Sequence, residues 1–381
     1  MSVTADIREL VEISQFAGRD VLLAQGGGGN TSVKSGDGRR MWIKASGHRL
    51  SEVGERHAYL ETDLPALLSV IRDPKLAELP RAVAHEESVR RIQAAVPGPV
   101  QMRPSLETGF HAVLGRRVVL HTHPVYVNAF TCMDGGAAAL EDALGEQVIW
   151  IEYEPPGYAL AAEVDRVCMA FQQGNGGLPA QILLTNHGLI ASGQSGAGTI
   201  ATTLRFVEAG KNYFGPLAAD SCAKMLPPEA LIRWAEDLEH ALRKRRGERR
   251  LAVRPACYCS LLQAADAPDQ WLTPGPLVPD DVVYSGENVW IAEASYSPRA
   301  WLDALPGPLP EKMIVAVPGL GVVLAGQGPR MLDMMEENLL AHVLVRQLIA
   351  RRGGKARRLP AGEVGYLLNM ESEKYRQAMG S

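Results

Sequence analysis

A short apolar strand that carries two histidines constrains the fold and the chemistry of this chain more than any other segment. Residues 116–124, RRVVLHTHP, read as a buried strand with His121 and His123 at its carboxyl end. Because side chains alternate across a strand, these two imidazoles lie on the same face and form half of a metal site. A histidine on an apolar strand is also common as a hydrogen-bonded core residue. A third ligand and a base are needed to decide between the two interpretations.

Two further polar residues could complete a site around this pair. His187 interrupts a second apolar segment, residues 181–193, which reads as one buried strand, and Gly188 follows it. Glu107 opens a short helical pattern upstream of the histidine strand, with Ser105 as a helix cap. A glutamate in a first helical turn is ordinarily a dipole contact, so its role depends on where the helix folds. Three histidines and a carboxylate predict an open site whose divalent ion is a Lewis acid.

Turns rich in glycine and serine flank the first strands of the chain. Four glycines precede Asn30 within residues 25–34, and Ser46 and Gly47 follow a strand that ends at Lys44. Bare backbone amides and short hydroxyl side chains suit an oxyanion such as phosphate, and a flexible hairpin turn is the alternative for the glycine loop. The loop is neither a Walker motif nor a dinucleotide fingerprint, because it leads into a strand and lacks the lysine.

The second half of the chain repeats a pattern from the first half. Without gaps, residues 315–327 align with residues 182–194, and each stretch is an apolar segment, a glycine turn and the start of a helix. Leu320 stands where His187 stands in the first stretch. This order of elements is common, so coincidence is the alternative to a true repeat. A true repeat predicts a related second layer without the metal ligands.

The length of the chain, 381 residues, exceeds what one ordinary core accommodates. We expect a metal-binding catalytic domain over residues 1–220, a helical connection over residues 221–253 and a smaller related domain over residues 254–381. Within the first domain, the apolar spacing over residues 59–73 predicts a helix.

Composition excludes several classes of function. Hydrophobic residues make up 46% of the chain and charged residues 22%, which is typical of a globular enzyme. A net charge of -4 gives no basic field for nucleic acid or an anionic membrane, and no apolar run is long enough to span a bilayer. Five cysteines without a Cys-x-x-Cys pair indicate a reducing compartment, so we expect a cytoplasmic protein.

Taken together, these motifs resemble those of the class II aldolase/adducin family. The matching stretches occur in the family's order: Gly29-Asn30-Thr31-Ser32, Ser46-Gly47, Pro104-Ser105-Leu106-Glu107, His121-Thr122-His123 and Asn186-His187-Gly188. Further stretches, including residues 369–376, are similar to the aldolase half of bifunctional rhamnulose-phosphate aldolase/lactaldehyde dehydrogenases. The resemblance implies an α/β fold, in which a three-layer domain with a mostly antiparallel central sheet precedes a smaller related α/β domain.

The resemblance also implies a role for each matched residue. The ligands of Zn²⁺, or of another divalent ion, would be His121, His123 and His187. Glu107 would be the catalytic acid/base, with a pKa raised towards neutrality by an apolar wall that includes Leu106. The residues around a substrate phosphate would be Asn30, Ser46, Gly47 and Ser105, with Lys44 beside the same turn. Leu106 stands where relatives often have a second serine, which leaves the phosphate requirement open.

The activity that the resemblance implies is that of an aldehyde-lyase. It would cleave a ketose 1-phosphate of the rhamnulose or fuculose type into dihydroxyacetone phosphate and an aldehyde. Related 4-epimerases carry aspartate at the position of Glu107, so the glutamate favours carbon-carbon cleavage. Two alternatives stay open: a decarboxylase or dehydratase of a sugar-acid phosphate, and a non-catalytic adducin-like module. The expected partners are a phosphorylated sugar and further copies of this chain in a homo-oligomer.

Overall fold

The structure, a computed structural model, describes residues 3–98, 102–246, 250–286 and 288–370. The part of the 369–376 motif beyond residue 370 lies outside the described residues. The chain divides into two compact units: residues up to Thr131 with Gly135–Tyr213, and Cys132–Asp134 with the residues from Phe214 onward. Among the helices of the described residues, none combines the length and the apolar character needed to cross a membrane.

The first unit is built on one large sheet. Its strands, within the described residues, are β1 (Asn30–Lys34), β2 (Arg40–Lys44), β3 (Tyr59–Asp63), β4 (Val118–Thr122), β5 (Trp150–Ile151), β6 (Gln181–Leu184) and β7 (Gly188–Gly193). They lie in the order β3-β2-β1-β4-β7-β6-β5. Each neighbouring pair is antiparallel except β5 with β6, which is parallel. The mostly antiparallel sheet expected from the sequence is therefore confirmed.

Helices cover both faces of this sheet. The helices of the first unit are α1 (Val3–Gly18), α2 (Leu64–Ile71), α3 (Pro74–Ala77), α4 (Arg81–Ala94), α5 (Thr108–Val113), α6 (Val125–Thr131), α7 (Gly136–Leu144), α8 (Tyr158–Asn175) and α9 (Gly196–Phe214). On β4, Val118 packs in the cluster that contains Leu10 of α1, whereas Val119 packs in the cluster that contains Phe110 of α5 and Leu160 of α8. Because adjacent strand residues face opposite sides, the sheet lies between two helical layers.

Two sequence-based expectations within this unit need correction. Residues 59–73 contain strand β3 followed by helix α2. In the strand, buried Leu60 and Thr62 alternate with more exposed neighbours. Asp63 then caps α2, because its side chain accepts a hydrogen bond from the Ala66 amide. Residues 181–193 form a hairpin of β6 and β7 rather than one strand. The chain reverses there because Asn186 adopts a left-handed conformation with φ of 52°.

The second unit contains a smaller sheet. Its strands, among the described residues, are β8 (Leu251–Pro255), β9 (Val289–Ile291), β10 (Met313–Val317) and β11 (Gly321–Gln327), in the order β8-β11-β10-β9. Its helices are α10 (Glu229–Arg246), α11 (Cys259–Ala264), α12 (Pro268–Trp271), α13 (Pro279–Ser285), α14 (Pro298–Ala304), α15 (Pro329–Arg351) and α16 (Ala361–Asn369). The expected connection over residues 221–253 includes α10, whose Leu231 and Leu238 are buried in the core of this unit.

The small sheet repeats the arrangement of strands β4 to β7 of the large one. Strands β5, β6, β7 and β4 follow one another across the large sheet with parallel, antiparallel and antiparallel pairing, and β9, β10, β11 and β8 do the same across the small sheet. Both hairpins have the same register, since Leu184 pairs with Gly188 and Val317 pairs with Gly321. The internal repeat inferred from the sequence is therefore present in the strand arrangement.

Candidate metal centre

The two histidines of the opening motif lie at the carboxyl end of the central strand β4. His121 belongs to the strand and His123 follows its last residue. Both rings are buried, their centroids are 4.8 Å apart, and their Nε2 atoms are 3.0 Å apart. The shared face predicted from strand alternation therefore brings the two imidazoles together.

The turn between β6 and β7 brings His187 to the same place. Its backbone amide donates to the Leu184 carbonyl at 3.1 Å, and the Asn128 side chain donates to its carbonyl at 3.3 Å. The His187 ring centroid then lies 5.0 Å from that of His121 and 5.2 Å from that of His123. A tight turn with its own tertiary anchor thus presents the third imidazole.

Gly188 makes this approach possible. A Cβ at this position would lie 2.5 Å from the Thr122 carbonyl oxygen and 2.8 Å from Cδ2 of His123. Real Cβ atoms do not approach other heavy atoms so closely. The bare backbone of Gly188 therefore lets the turn contact the end of β4.

The three rings fit a divalent cation. One potential ligand atom from each ring lies within 4.8 Å of the others. His121 also directs its Nδ1 to the Leu189 carbonyl at 3.0 Å, which favours the tautomer whose Nε2 lone pair faces the cluster. Burial lowers the pKa of His187 to about 4, against the opposing effect of Glu107, so the ring is neutral near pH 7. Buried, neutral imidazoles with converging nitrogens are the donor set of a three-histidine metal site.

Glu107 lies against these rings. It is the residue before α5, and its Oε1 is 3.0 Å from Nε2 of His187 and 3.5 Å from Nε2 of His121. Its Oε2 accepts a hydrogen bond from Nδ2 of Asn30. The short helix predicted from the sequence does fold the carboxylate over the histidines, and Glu107 does not cap the helix with its side chain.

The electrostatics of Glu107 differ from our expectation of a raised pKa. Burial does raise the pKa of this carboxyl, but the electrostatic interactions with His121 and His187 outweigh burial. The net effect lowers the pKa of Glu107 well below its ordinary value. The imidazoles outweigh burial because they are in direct contact with the carboxylate.

One of the turns expected to bind phosphate adjoins Glu107, and a hydrogen bond joins it to another. Ser105 accepts a hydrogen bond at its Oγ from the Glu107 amide at 3.2 Å, so it forms a local turn instead of capping α5. The Ser46 amide donates to the Arg103 carbonyl at 2.9 Å, which joins the two serine turns, and Gly47 follows with φ of 79°. The structure thus brings Ser46, Gly47 and Ser105 to one neighbourhood.

Asn30 and Lys44 lie in this neighbourhood but have protein partners. The Asn30 amide faces Glu107, while its Oδ1 has no hydrogen-bond partner within the described residues. The Lys44 ammonium is buried and donates to the carbonyls of Gly27 at 3.1 Å and His48 at 2.6 Å. Lys44 therefore holds the glycine loop against the serine turn.

The sequence analysis missed one pair of residues beside the site. His111 of α5 places Nδ1 2.8 Å from the Ser32 hydroxyl of β1, and both side chains are fully buried. The spacing of four residues between Glu107 and His111 is the available signal, because it puts both side chains on one side of a helical turn.

The second unit has different residues at the positions of the ligands. On β4, His121 pairs with Ile190 of β7. On β8, Pro255 pairs with Val323 of β11. The alignment of the two hairpins places Val323 at the position of Ile190. The residues equivalent to His121, His123 and His187 are therefore Pro255, Cys257 and Leu320.

Comparisons with known proteins agree on the first unit. Residues 8–213 match the family model described as the Class II Aldolase and Adducin N-terminal domain. A curated relative, the "Uncharacterized oxidoreductase YuxG" of Bacillus subtilis (strain 168), is 28% identical over 214 residues. That match covers 54% of this chain and 29% of the relative, so the chain spans under a third of the length of the curated relative.

Solved structures also match this part of the chain. The N-terminal class II aldolase domain of a conserved protein from Thermoplasma acidophilum is 28% identical, with a TM-score of 0.47, over 56% of this chain and 95% of that one. The l-fuculose-1-phosphate aldolase from Thermus thermophilus is 17% identical, with a TM-score of 0.35, over 54% of this chain and 94% of that one.

Proposed function

This chain belongs to the class II aldolase and adducin family, and from that membership we propose that it is a metal-dependent aldehyde-lyase. Its substrate is a ketose 1-phosphate of the rhamnulose or fuculose type, which it cleaves to dihydroxyacetone phosphate and an aldehyde. One observation carries the proposal: three buried imidazoles converge on one point, and the Glu107 carboxylate lies 3.0 Å from one of them. An adducin-like module has no use for this arrangement.

His121, His123 and His187 would hold the metal ion, for which zinc is our proposal. A bound divalent ion supplies Lewis acidity towards substrate oxygens and stabilises the negative charge that develops on them. The protein contributes three neutral ligands, so the charge of the ion is not reduced by its own ligands.

Glu107 moves the proton at the substrate carbon. Its lowered pKa means that the carboxyl is ionised in the resting site, ready to act as a base. In the condensation direction it removes the proton from C3 of dihydroxyacetone phosphate. In the cleavage direction it must first take up a proton, for which the C4 hydroxyl of the ketose is the proposed source, and then return it to C3 after the C3–C4 bond has broken.

Neighbouring residues bind and orient the substrate. The hydroxyl groups of Ser46 and Ser105, the Gly47 amide and the glycine loop held by Lys44 would receive the phosphate. Because the Asn30 amide is directed to Glu107, Asn30 orients the carboxylate, and its Oδ1 is available to accept a hydrogen bond from a substrate hydroxyl.

The test is an aldehyde-release screen of the zinc-loaded protein. The panel contains the four stereoisomers at C3 and C4 of a 6-deoxyketose 1-phosphate, their unphosphorylated forms, and 3-oxo acid phosphates. We expect aldehyde and dihydroxyacetone phosphate in equal amounts from a phosphorylated ketose, and loss of the reaction after chelation. Carbon dioxide from a 3-oxo acid phosphate would instead identify a decarboxylase.

Metal analysis separates the enzyme from a non-catalytic module. We expect about one divalent ion per chain, as one three-histidine site requires. A purified protein that neither contains nor takes up zinc would support an adducin-like module and contradict the proposal.

Three further expectations remain predictions: the homo-oligomer, the cytoplasmic location and the domain boundaries at residues 220 and 253. A stable monomer in light scattering would contradict the homo-oligomer.

A further inference from the structure

Local backbone structure does not determine where the Glu107 carboxylate points. Glu107 precedes α5 and makes no capping hydrogen bond with its side chain. Its carboxylate is directed away from its own helix, towards Asn30 on one side and His187 on the other. The direction of this side chain therefore depends on how α5 is placed against β1, the strand that begins with Asn30.

Two hydrogen bonds connect α5 with β1. The first joins Glu107 to Asn30, and the second joins His111 to Ser32. The His111 amide donates to the Glu107 carbonyl at 3.3 Å, so the two helix-side residues are separated by one helical turn. All four side chains are buried.

The two bonds have matching spacings. Four residues along a helix advance about 6 Å, and two residues along a strand advance about 6.6 Å. Asn30 and Ser32 also lie on the same face of β1, because residues two apart do so. A shift of α5 along β1 by one residue would therefore break both bonds together.

The position of His111 is poorly explained by packing alone. Its ring is fully buried beside Phe110, with 4.8 Å between ring centroids, and its Nε2 has no hydrogen-bond partner within the described residues. A buried polar atom without a partner is unfavourable, so an apolar side chain of similar size would pack at lower cost. What the histidine adds at this position is its bond to Ser32.

We infer that His111 is a positioning residue, which acts through Ser32 to fix α5 against β1 and so holds the Glu107 carboxylate beside Asn30 and His187. The inference about geometry stands on these contacts, and its consequence for turnover rests on the proposed function.

Crystal structures of full-length, zinc-loaded variants test the geometry. His111→Leu removes the bond to Ser32, whereas His111→Asn keeps a hydrogen-bonding atom at the δ position. We expect the distance from Glu107 to Asn30 to lengthen beyond hydrogen-bond range in His111→Leu and to be retained in His111→Asn. An unchanged distance in His111→Leu would overturn the inference.

Two further variants keep the test decisive. Ser32→Ala removes the same bond from the strand side, so it replaces His111→Leu if that protein fails to fold. Val113→Ala, a buried position on the same helix in the apolar cluster, is the matched control for lost packing. It should lower thermal stability and leave the Glu107 distances as they are. Displaced Glu107 in this control would show that any loosening of α5 has the same effect, and would also overturn a specific role for His111.

Kinetics on whichever substrate the screen identifies test the consequence. We expect His111→Leu to lower kcat on the order of ten- to a hundredfold, with KM and bound zinc unchanged, because small displacements of a catalytic group cost about that much. His111→Asn should recover most of kcat. A screen that finds no substrate would contradict the proposed function, while the crystallographic distances would still decide the inference.

Discussion

Glu107 and its neighbouring imidazoles depend on each other for their charge states. Burying a carboxylate without partners is unfavourable, and this one is compensated by His121, His187 and the Asn30 amide. The same contact opposes the lowering of the pKa of His187 by burial. The charge states of Glu107 and His187 are therefore coupled, and a substitution at either residue changes the other.

Replacing Glu107 by glutamine tests its role in proton transfer. Glu107→Gln keeps the size of the side chain and removes the ionisable group, so we expect kcat to fall by about two to four decades while zinc remains bound. The measurement is the rate of aldehyde release with zinc content determined in parallel. Glu163→Gln, at a glutamate of α8 paired with Arg166, is the control and should leave the rate unchanged. Near-normal turnover of Glu107→Gln would contradict the assignment.

The stability of the chelator-treated protein should depend on pH through His187. Its pKa is about 4 in the folded protein, below the ordinary value of 6.5, so between these values the unfolded chain binds more protons. Stability is therefore lost as the pH falls from 6.5 towards 4, by on the order of 3 kcal/mol for this group. The lowered pKa of Glu107 adds a loss in the same direction at lower pH.

Urea unfolding at several pH values measures this dependence. His187→Gln should show a smaller loss between pH 7 and pH 5 than the unsubstituted protein. His240→Gln, at an exposed position of α10, is the control and should show the full loss. Equal pH dependence in all three proteins would exclude His187 as the source.

The sequence identified the candidate site residues, but it did not predict which other residues they contact. His121 and His123 could be paired because alternation along a strand is a local rule, and His187 stood out in an apolar run. The contact between Glu107 and Asn30 could not be predicted, since it depends on the pairing of β1 with β4 across a long stretch of sequence. The expectation of a raised pKa for Glu107 was wrong for the same reason, because the imidazoles that lower this pKa come from distant segments.

At the level of elements, the β6–β7 hairpin determines whether the third ligand reaches the site. Its sequence reads as one apolar run, because the strands on both sides are buried and Asn186 and Gly188 are too few turn residues to stand out within such a run. Tertiary contacts specify the turn, including the bond from the Asn186 amide to the Thr131 carbonyl at 2.9 Å. A turn that depends on such contacts is not readable from local propensity.

Gly188→Ala tests how closely this hairpin must approach β4. The added Cβ would meet Thr122 and His123 at distances that force the strands apart, so we expect zinc affinity to fall about ten- to a hundredfold, as it does when groups that orient metal ligands are lost. Competition with a chromogenic chelator measures the affinity. Gly36→Ala, where a Cβ would meet no atom within 4 Å, is the control. Unaltered affinity in Gly188→Ala would show that the turn can relax.

At the level of the whole molecule, each unit has its own sheet and core, and the second sheet repeats four strands of the first. The sequence alignment of residues 182–194 with residues 315–327 found the hairpins, because their glycines fall at matching positions. It could not show that β8 and β9 complete the repeat. Those strands pair with the hairpin from distant parts of the chain, and β9 has only three residues.

The edge strand β8 of the small sheet has a consequence for the solubility of the protein. In the large sheet, β1 pairs with the far side of β4, whereas in the small sheet no strand among the described residues pairs with the far side of β8. Such an edge can pair with another chain and begin aggregation. The Ala256 amide donates to the Val322 carbonyl of β11, so the preceding nitrogen, that of Pro255, faces the other side, on which the Met225 amide donates to the Cys257 carbonyl just beyond the end of β8. Proline has no N–H there to donate.

Pro255 thus blocks pairing at the position equivalent to His121 of the first unit. We expect Pro255→Val to restore a donor on this edge and to increase light scattering when the concentrated protein is warmed, with Arg250→Lys, at an exposed position just before β8, as the control. Equal scattering by Pro255→Val and the unsubstituted protein would contradict this role. On this view, the position proposed to bind metal in one copy of the repeat protects the other copy from self-association.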